Sequence, residues 1–372
     1  MPLEHHNDWR DLFTPPIAGG PAVRWTWRVL RKRGHPLLIL PDAPRPAAEA
    51  LKLYPAQTLV ARTAKALLRA APRAGLLCFG EKVALAVSAD DALLKILSGL
   101  AGEPAAAVVA PAILAGNPAT PGQRCIILAF DENRRPVAIV KAGMSEAARQ
   151  LIKSEAAILS AFPQITPGVP RLRGTFQSQQ LHALAMDYFP GDSPRPRDLH
   201  GLAPLLTSWL DPHKTICIGD IPAWARLRSA GGAAPLLLTL NHRLSQQSVR
   251  ATLYHGDFAP WNIKVSRHDG SWTVLDWERG ELTGIPGWDW FHYMIQSSIL
   301  VERLPTAALA RRVEALLGSR LFEAYAGAAS IAASAHDLLL AYLLYNNEVI
   351  RPAEGLVPAR ELLTALAARW NQ

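Results

Sequence analysis

Short runs of alternating hydrophobic and polar residues fill residues 104–190, a pattern typical of a small sheet with one helix. An apolar stripe that includes Ala148, Ile152 and Leu159 predicts a helix over 145–162, with Ser145 as its cap. Three strand-like runs precede this helix and two follow it, the latter as a hairpin. The five predicted strands are 108–114, 124–130, 136–140, 170–177 and 181–188.

The regions on either side have different patterns. Residues 1–103 contain a helical stretch at 46–71, with Pro55 near its middle as a break or N-terminal turn, and a second at 92–100, capped by Asp90 and Asp91. They also contain short apolar runs that predict strands. These strands are 37–40, 76–79 and 83–87. Residues 191–372 are mainly helical, with two short strands at 263–266 and 273–275. The sequence therefore predicts three segments: an N-terminal extension of unassigned role (1–103), a nucleotide-binding lobe (104–190) and a helical lobe (191–372).

The whole chain has a formal net charge of +8, and its positive charge is concentrated in the first half. Part of the excess is a basic segment at 24–33, in which Trp25 and Trp27 lie between arginines. Such a segment can contact phosphates, an anionic membrane surface or an acidic partner protein. The alternative is a solvated face with both tryptophans in a core. Nucleic acid is not expected as the main partner, because the strongest motifs point to other chemistry.

The cysteine pattern and the hydropathy favour a protein of the reducing cytoplasm. Cys78, Cys125 and Cys217 are widely spaced and form no CxxC pair, which argues against a disulfide framework and a structural zinc site. The most apolar candidate span, 96–116, is interrupted by Glu103 and two prolines. The first residues lack the continuous apolar region of a signal peptide.

The segment HGDFAPWN at 255–262, followed by an apolar strand and DWE at 276–278, carries the chemistry. Phosphoryl transfer needs a carboxylate that orients the attacking hydroxyl and accepts its proton late, and Asp257 can serve. It also needs hard oxygen ligands for Mg²⁺, which Asn262 and Asp276 can supply. The strand-turn-strand between these two residues places both at one edge. A calcium or zinc site would require more acidic residues, or more His and Cys, within reach.

The HGDxxxxN and DWE motifs resemble the catalytic and metal-binding loops of the aminoglycoside phosphotransferase and choline kinase family. Gly256 instead of Arg, and Trp277-Glu278 instead of Phe-Gly, distinguish them from protein kinases. Asp289 is similar to the family's helix-starting aspartate, interpreted as a cap that braces the catalytic loop. The resemblance covers about residues 105–350. It implies an α+β, two-lobed protein-kinase-like fold with a five-stranded N-lobe sheet plus helix and a mainly helical C-lobe, to which this chain adds an N-terminal α/β module.

The resemblance also implies roles for residues of the N-lobe. Lys141 ends the strand VAIVK and is similar to the family lysine that contacts the α and β phosphates of ATP, and Glu155 can pair with it. Asp187 and Phe189 occupy the hinge, where family members bind adenine through a backbone carbonyl and amide. The loop 117–122 should cover the phosphates, although it lacks GxGxxG. His255 is expected to hold the catalytic loop by hydrogen bonding rather than to transfer protons.

The implied function is transfer of the γ-phosphoryl group of MgATP to a hydroxyl of a small molecule. The acceptor is open among aminoglycosides, sugars and amino alcohols, since the second half of the chain has no dense acidic cluster to favour a cationic antibiotic. A nucleotide-binding pseudokinase that acts as a scaffold is the alternative. A protein kinase is disfavoured by HGD, by DWE and by the lack of an APE-type segment. The oligomeric state is not readable from the sequence.

Overall fold

The computed structural model describes residues 8–54, 59–77, 79–116, 122–163, 165–179, 181–195, 198–232, 234–350 and 357–370. The chain divides into two compact units. The N-terminal unit runs to Ser160 and includes Pro170–Phe189, and the C-terminal unit consists of Ala161–Val169 and the chain from Pro190 onward.

An antiparallel sheet of eight strands forms the frame of the N-terminal unit, in the order β3-β1-β2-β4-β5-β6-β8-β7. The five strands predicted for the N-lobe are neighbours in it, although β4 is shorter than expected. The strands of the extension continue this sheet, because Leu38 and Ile39 of β2 pair with Leu114 and Ile113 of β4. The strands are β1 (Ala22–Lys32), β2 (His35–Pro41), β3 (Glu81–Ser88), β4 (Ala112–Leu114), β5 (Cys125–Phe130), β6 (Pro136–Gly143), β7 (Leu172–Gln177) and β8 (His182–Asp187).

The longest strand, β1, was not predicted, and it contains most of the basic segment. Trp25, Trp27 and Val29 alternate along it and are buried. The indole nitrogens of Trp25 and Trp27 donate to the carbonyls of Val108 and Pro111 at 3.0 and 2.7 Å. Both tryptophans therefore lie in a core, as the alternative interpretation held, and they tie the extension to the chain that leads into β4. The sheet thus crosses residue 103, and the division into three functional segments stays a prediction.

The strand predicted at 76–79 is wrong for its described residues. Leu76, Leu77 and Phe79 are irregular, and residue 78 lies outside the described residues. Gly75 turns the chain with a φ of 82° after the preceding helix, and β3, which starts at Glu81, takes the pairing positions on β1.

Four described helices accompany the sheet, and two of them begin at a predicted cap. Asp91 accepts a hydrogen bond from the amide of Leu94 at 2.7 Å, and Ser145 accepts one from the amide of Ala148 at 3.2 Å. The helical stretch predicted at 46–71, with a break or N-terminal turn at Pro55, is two helices, and 55–58 between them lie outside the described residues. The helices are α1 (Pro44–Ala50), α2 (Leu59–Arg73), α3 (Ala92–Ala101) and α4 (Glu146–Ala161).

The C-terminal unit is mainly helical. Its described helices are α5 (Leu199–Ser208), α6 (Pro222–Gly231), α7 (Pro235–Leu244), α8 (Trp288–Gln296), α9 (Thr306–Leu317), α10 (Arg320–Ala328), α11 (Ala335–Tyr345) and α12 (Val357–Trp370). One small sheet has the order β13-β10-β9, and a hairpin pairs β11 with β12. These strands are β9 (Leu210–Cys217), β10 (Ser248–Tyr254), β11 (Ile263–Val265), β12 (Trp272–Val274) and β13 (Glu281–Gly284).

The order of these elements, a sheet with α4 between β6 and β7 followed by a helical unit that contains the β11–β12 hairpin, confirms the protein-kinase-like α+β fold. No single helix in the described part of the chain has the length and apolar composition needed to cross a membrane. The helical segments Arg320–Ala328 and Ala332–Ile350 meet that criterion only as a pair, which is bent by 117°.

Candidate active site

The predicted catalytic loop connects β10 to the β11–β12 hairpin. Ile263 pairs with Val274 in this hairpin, and the amide of Leu275 donates to the carbonyl of Asn262 at 2.7 Å. Asn262 and Asp276 therefore flank the open end of the hairpin, at the same edge. This is the adjacency that the spacing of the two motifs predicted.

Asp257 is held by hydrogen bonds on both carboxylate oxygens. Its Oδ2 accepts from Nδ2 of Asn262 at 2.9 Å, and its Oδ1 lies 3.1 Å from Nε2 of His292. The Asp257 side chain is 29% exposed, so a ligand can reach it. Burial acts to raise the pKa of this carboxyl and is the largest single effect, but the hydrogen bond from His292 and electrostatic interactions with His292, His255 and Arg279 together outweigh it and leave the pKa below its ordinary value. Asp257 is therefore a carboxylate at neutral pH, suited to orient a hydroxyl.

His255 is a fully buried residue that holds the loop. Its Nδ1 accepts from the amide of Asp257 at 3.2 Å, and its Nε2 lies 2.9 Å from the carbonyl of Leu275, which can only accept. Nε2 therefore carries the proton, and the ring is neutral. Burial lowers the pKa of His255 to about 4, in agreement with that tautomer. These contacts fit the expected loop-holding role.

Gly256 is required by the backbone of the loop. Its φ is 78°, and an added Cβ would lie 2.9 Å from the carbonyl oxygen of Arg279. A side chain at this position would combine a left-handed conformation with a steric clash. The HGD motif therefore needs glycine for the close approach of the loop to the DWE segment.

Asp289 braces the loop from α8. Its carboxylate accepts from the amides of His255 and Gly256 at 2.8 and 3.2 Å. Burial raises the pKa of Asp289 to about 7, while the two amides act in the opposite direction. The interpretation of Asp289 as a helix cap is wrong, because Gly287 is the N-cap residue of α8 and Asp289 lies inside its first turn. The brace that was inferred with it is present.

Asp276 adopts an uncommon backbone conformation for a residue with a side chain, with a φ of 72°. The next residue, Trp277, is fully buried and anchors the turn. Its indole nitrogen donates to the carbonyl of Val274 at 2.9 Å. Its ring packs edge-on against the rings of Phe162 and His255, with distances between ring centroids of 4.8 and 4.7 Å. Such strain persists where packing enforces it, and it is typical of functional sites.

The donor set around the hairpin fits Mg²⁺. Nδ2 of Asn262 donates to both the carbonyl and Oδ2 of Asp257 at 2.9 Å, so the amide oxygen is the atom that could ligate a cation. Asp276 would add a carboxylate. Within the described ranges no group of three or more His, Cys, Asp or Glu could hold a metal. Two hard oxygens, completed by phosphates and water, are what Mg²⁺ usually receives from proteins.

In the N-terminal unit, Lys141 and Glu155 form a buried ion pair. Nζ of Lys141 lies 2.6 and 2.7 Å from the two carboxylate oxygens, and the residues are 5% and 0% exposed. Gly143 lets α4 approach β6, since an added Cβ there would lie 2.8 Å from the backbone of Ala148. This close approach brings Glu155 to the lysine.

The residues predicted for adenine lie at the end of the N-terminal unit. Asp187 is the last residue of β8, its amide donates to the carbonyl of Arg171 at 3.2 Å, and it is paired with Ala138 of β6. Phe189 is half-buried in the irregular segment that precedes Pro190. Their contact with adenine stays a prediction. Most of the phosphate-covering loop, 117–121, lies outside the described residues.

The predicted site residues thus fall into two sets. Asp257, Asn262 and Asp276 are brought together in the C-terminal unit, and the set of Lys141, Glu155, Asp187 and Phe189 belongs to the N-terminal unit. Sequence reasoning missed His292 and Tyr342. The hydroxyl of Tyr342 lies 3.0 Å from Nδ1 of His292. The available signal was position, because His292 follows Asp289 by three residues and therefore shares its face of the helix.

No family model matches the sequence, and no curated protein matches it. Solved structures do resemble the fold. A thermostable mutant of aminoglycoside phosphotransferase APH(4)-Ia, in ternary complex with ADP and hygromycin B, has 14% identity and a TM-score of 0.48 over 75% of this chain and 99% of that one. A structure described as a fructosamine-3-kinase from Haemophilus somnus 129PT has 13% identity and a TM-score of 0.44 over 75% and 96%. The ternary complex of streptomycin, ATP and APH(2")-IIa has 13% identity and a TM-score of 0.42 over 74% and 95%.

Proposed function

We propose that this chain is a small-molecule kinase that transfers the γ-phosphoryl group of MgATP to a hydroxyl group. The observation that carries the proposal is the arrangement at the hairpin: Asp257 is held by Asn262, and Asp276 lies at the same edge. A carboxylate beside two oxygen ligands matches the parts of phosphoryl transfer that orient the hydroxyl and hold the metal.

Each residue then has one task. Asp257 accepts a hydrogen bond from the acceptor hydroxyl, orients it for in-line attack and takes its proton late in the reaction. Its lowered pKa suits this role, because a weakly basic carboxylate orients rather than deprotonates in advance. Asn262 and Asp276 would hold Mg²⁺, which when bound neutralises charge on the phosphates.

The N-terminal unit would bind the nucleotide. Lys141, extended by Glu155, contacts the α and β phosphates, and the backbone of Asp187 and Phe189 binds adenine. ATP and Mg²⁺ are thus the proposed cofactors. The cytoplasmic location and the contact of the basic segment with an acidic partner or a membrane surface stay predictions.

A polar network continues from the strand that leads into the catalytic loop. Tyr254, directly before the loop, pairs across the strands with Glu281, which forms an ion pair with Arg226. Arg226 in turn donates to Tyr345 at 3.1 Å, and Asn346 follows. Among the described residues the hydroxyl of Tyr254, Oε2 of Glu281 and both polar atoms of the Asn346 side chain are buried without a hydrogen-bond partner.

The test is ATP consumption by the purified protein over a panel of aminoglycosides, sugars, choline-like amino alcohols and nucleosides. The Asp257→Ala variant should lose activity about 100- to 10,000-fold and keep its nucleotide affinity. Asp220→Ala, an exposed aspartate in the same unit, is the matched control and should keep full activity. An active Asp257→Ala variant would overturn the proposal. ATP binding without turnover of any acceptor would favour the pseudokinase scaffold.

A further inference from the structure

The proposed catalytic carboxylate has a second protein partner that the resemblance does not include. His292, on α8, lies with Nε2 3.1 Å from Oδ1 of Asp257 and Nδ1 3.0 Å from the hydroxyl of Tyr342 on α11. His292 and Tyr342 are both 0% exposed. The three side chains form a line from the core of the C-terminal unit to the partly exposed carboxylate.

The chemistry of the groups gives this line a direction. With Asp257 ionised, its oxygens only accept, so Nε2 of His292 carries the proton that it donates. In the neutral ring Nδ1 is then an acceptor, and the hydroxyl of Tyr342 donates to it. Tyr342 thus selects the tautomer of His292 that can hold the carboxylate.

We propose that His292, set in its tautomer by Tyr342, is a positioning residue that fixes the Asp257 carboxylate for the acceptor hydroxyl. The inference rests on the proposed function of Asp257. The last torsion of an aspartate side chain has a broad energy profile. Asn262 holds one oxygen and His292 holds the other, so the two bonds together fix the plane of the carboxylate.

A packing role alone does not explain these two residues. His292 lies in a helix whose neighbouring positions are Trp290, Phe291 and Tyr293, all fully buried. A phenylalanine would fill the same space without bringing two ring nitrogens into the core, and burial of such groups is unfavourable unless both are hydrogen-bonded. Here both are bonded, and one bond ends on the carboxylate.

The experiment is a double-mutant cycle with kcat, the KM of the acceptor, the affinity for ATP and Tm as readouts. His292→Phe should lower kcat about 100-fold, as expected when a reacting group is misplaced, and should leave ATP affinity within about twofold. In His292→Gln the amide nitrogen can reach Oδ1 of Asp257, so its kcat should be about tenfold higher than that of His292→Phe. Tyr342→Phe should lower kcat about three- to tenfold alone and have no further effect in the His292→Phe background, because the two residues act in series.

The matched control is His336→Phe, an exposed histidine at the start of α11 in the same unit, which should keep the wild-type kcat. Full kcat in His292→Phe, or equal losses in His292→Gln and His292→Phe that follow Tm, would overturn the inference. If His292→Phe does not fold, the double variant Tyr342→Phe with His292→Gln replaces it. Additive losses of kcat in that double variant would overturn the inference. A fully active Asp257→Ala variant, or a wild type without turnover, overturns the proposed function and this inference with it. Loss of activity in Asp257→Ala with normal kcat in His292→Phe overturns the inference alone.

Discussion

The Lys141–Glu155 ion pair offers a test that separates stability from function. The carboxylate of Glu155 is 0% exposed and accepts Nζ of Lys141 at 2.6 and 2.7 Å. Glu155→Gln preserves the shape of the side chain and removes its charge. The ammonium group of Lys141, 5% exposed, then stays buried without this counter-charge.

The cost can be estimated from the burial of the pair. Removal of one partner from a buried ion pair destabilises a protein by about 3–5 kcal/mol. Because Gln can still accept one hydrogen bond, we expect about 3 kcal/mol for Glu155→Gln, the lower end of that range. Replacement of both partners by apolar residues of similar volume, as in Lys141→Met with Glu155→Leu, is close to neutral in such sites. The double variant should therefore recover most of the stability that the single variants Lys141→Met and Glu155→Leu each lose.

ATP turnover and stability should respond differently to the double substitution. If Lys141 contacts the phosphates of ATP, the double variant stays without turnover although its stability returns. Urea unfolding curves for the wild type, Glu155→Gln, Lys141→Met, Glu155→Leu and the double variant give the free energies, provided that the slope is constant. ATP turnover is measured on the same preparations. The exposed pair Arg243–Asp337 supplies the control, because Asp337→Asn should cost less than about 1 kcal/mol.

Three results would refute this reasoning. A Glu155→Gln variant no less stable than Asp337→Asn would mean that the pair does not carry a desolvated charge. A double variant as unstable as its single parents would mean that apolar side chains cannot replace the pair. Full turnover by the stable double variant would show that Lys141 has no role at the phosphates.

Two further predictions concern the catalytic loop. Gly256→Ala should lower the unfolding free energy by about 2–3 kcal/mol. The control Gly270→Ala should cost about 1 kcal/mol, because its φ is also positive but its Cβ would meet open space. Equal losses for the two variants in urea unfolding would exclude the clash with Arg279. The buried His255, with a pKa of about 4, binds fewer protons folded than unfolded, so its contribution to stability falls as the pH drops from about 6.5 towards 4. Between pH 7 and pH 5 the wild type should therefore lose about 2 kcal/mol relative to His255→Gln, and a pH-independent difference between the two would contradict this account.

The candidate site could be predicted because its geometry is local. Asn262 and Asp276 are separated by one hairpin, and the alternation and turn residues of that hairpin are readable in the sequence. Lys141 and Glu155 are separated by one strand end and two helical turns, so the pairing depends on elements that adjoin in the chain. Where chemistry lies within one supersecondary unit, the pattern of residues determines the arrangement.

Strand β1, which lies next to the edge strand of the large sheet, was not predictable in the same way. The alternation of Trp25, Trp27 and Val29 has the period of a strand, but the arginines on its other face also fit a solvated surface. A strand is defined by its partners, and those of β1 are its neighbour β2 and the distant β3. Whether the two tryptophans lie in a core or on a binding surface depended on this pairing, which no local pattern contains.

The contact between His292 and Asp257 lies between these two cases. The resemblance already assigned Asp289 to bracing the loop, and its carboxylate does hold the amides of His255 and Gly256. Once this brace is accepted, α8 has a defined position along the loop. Three residues on, a side chain on the same helix face lies about 4.5 Å further along the axis, and the next loop residue lies about 3.8 Å along the chain. His292 and Asp257 are the residues at those positions, so their contact follows from one correct anchor and the pitch of a helix.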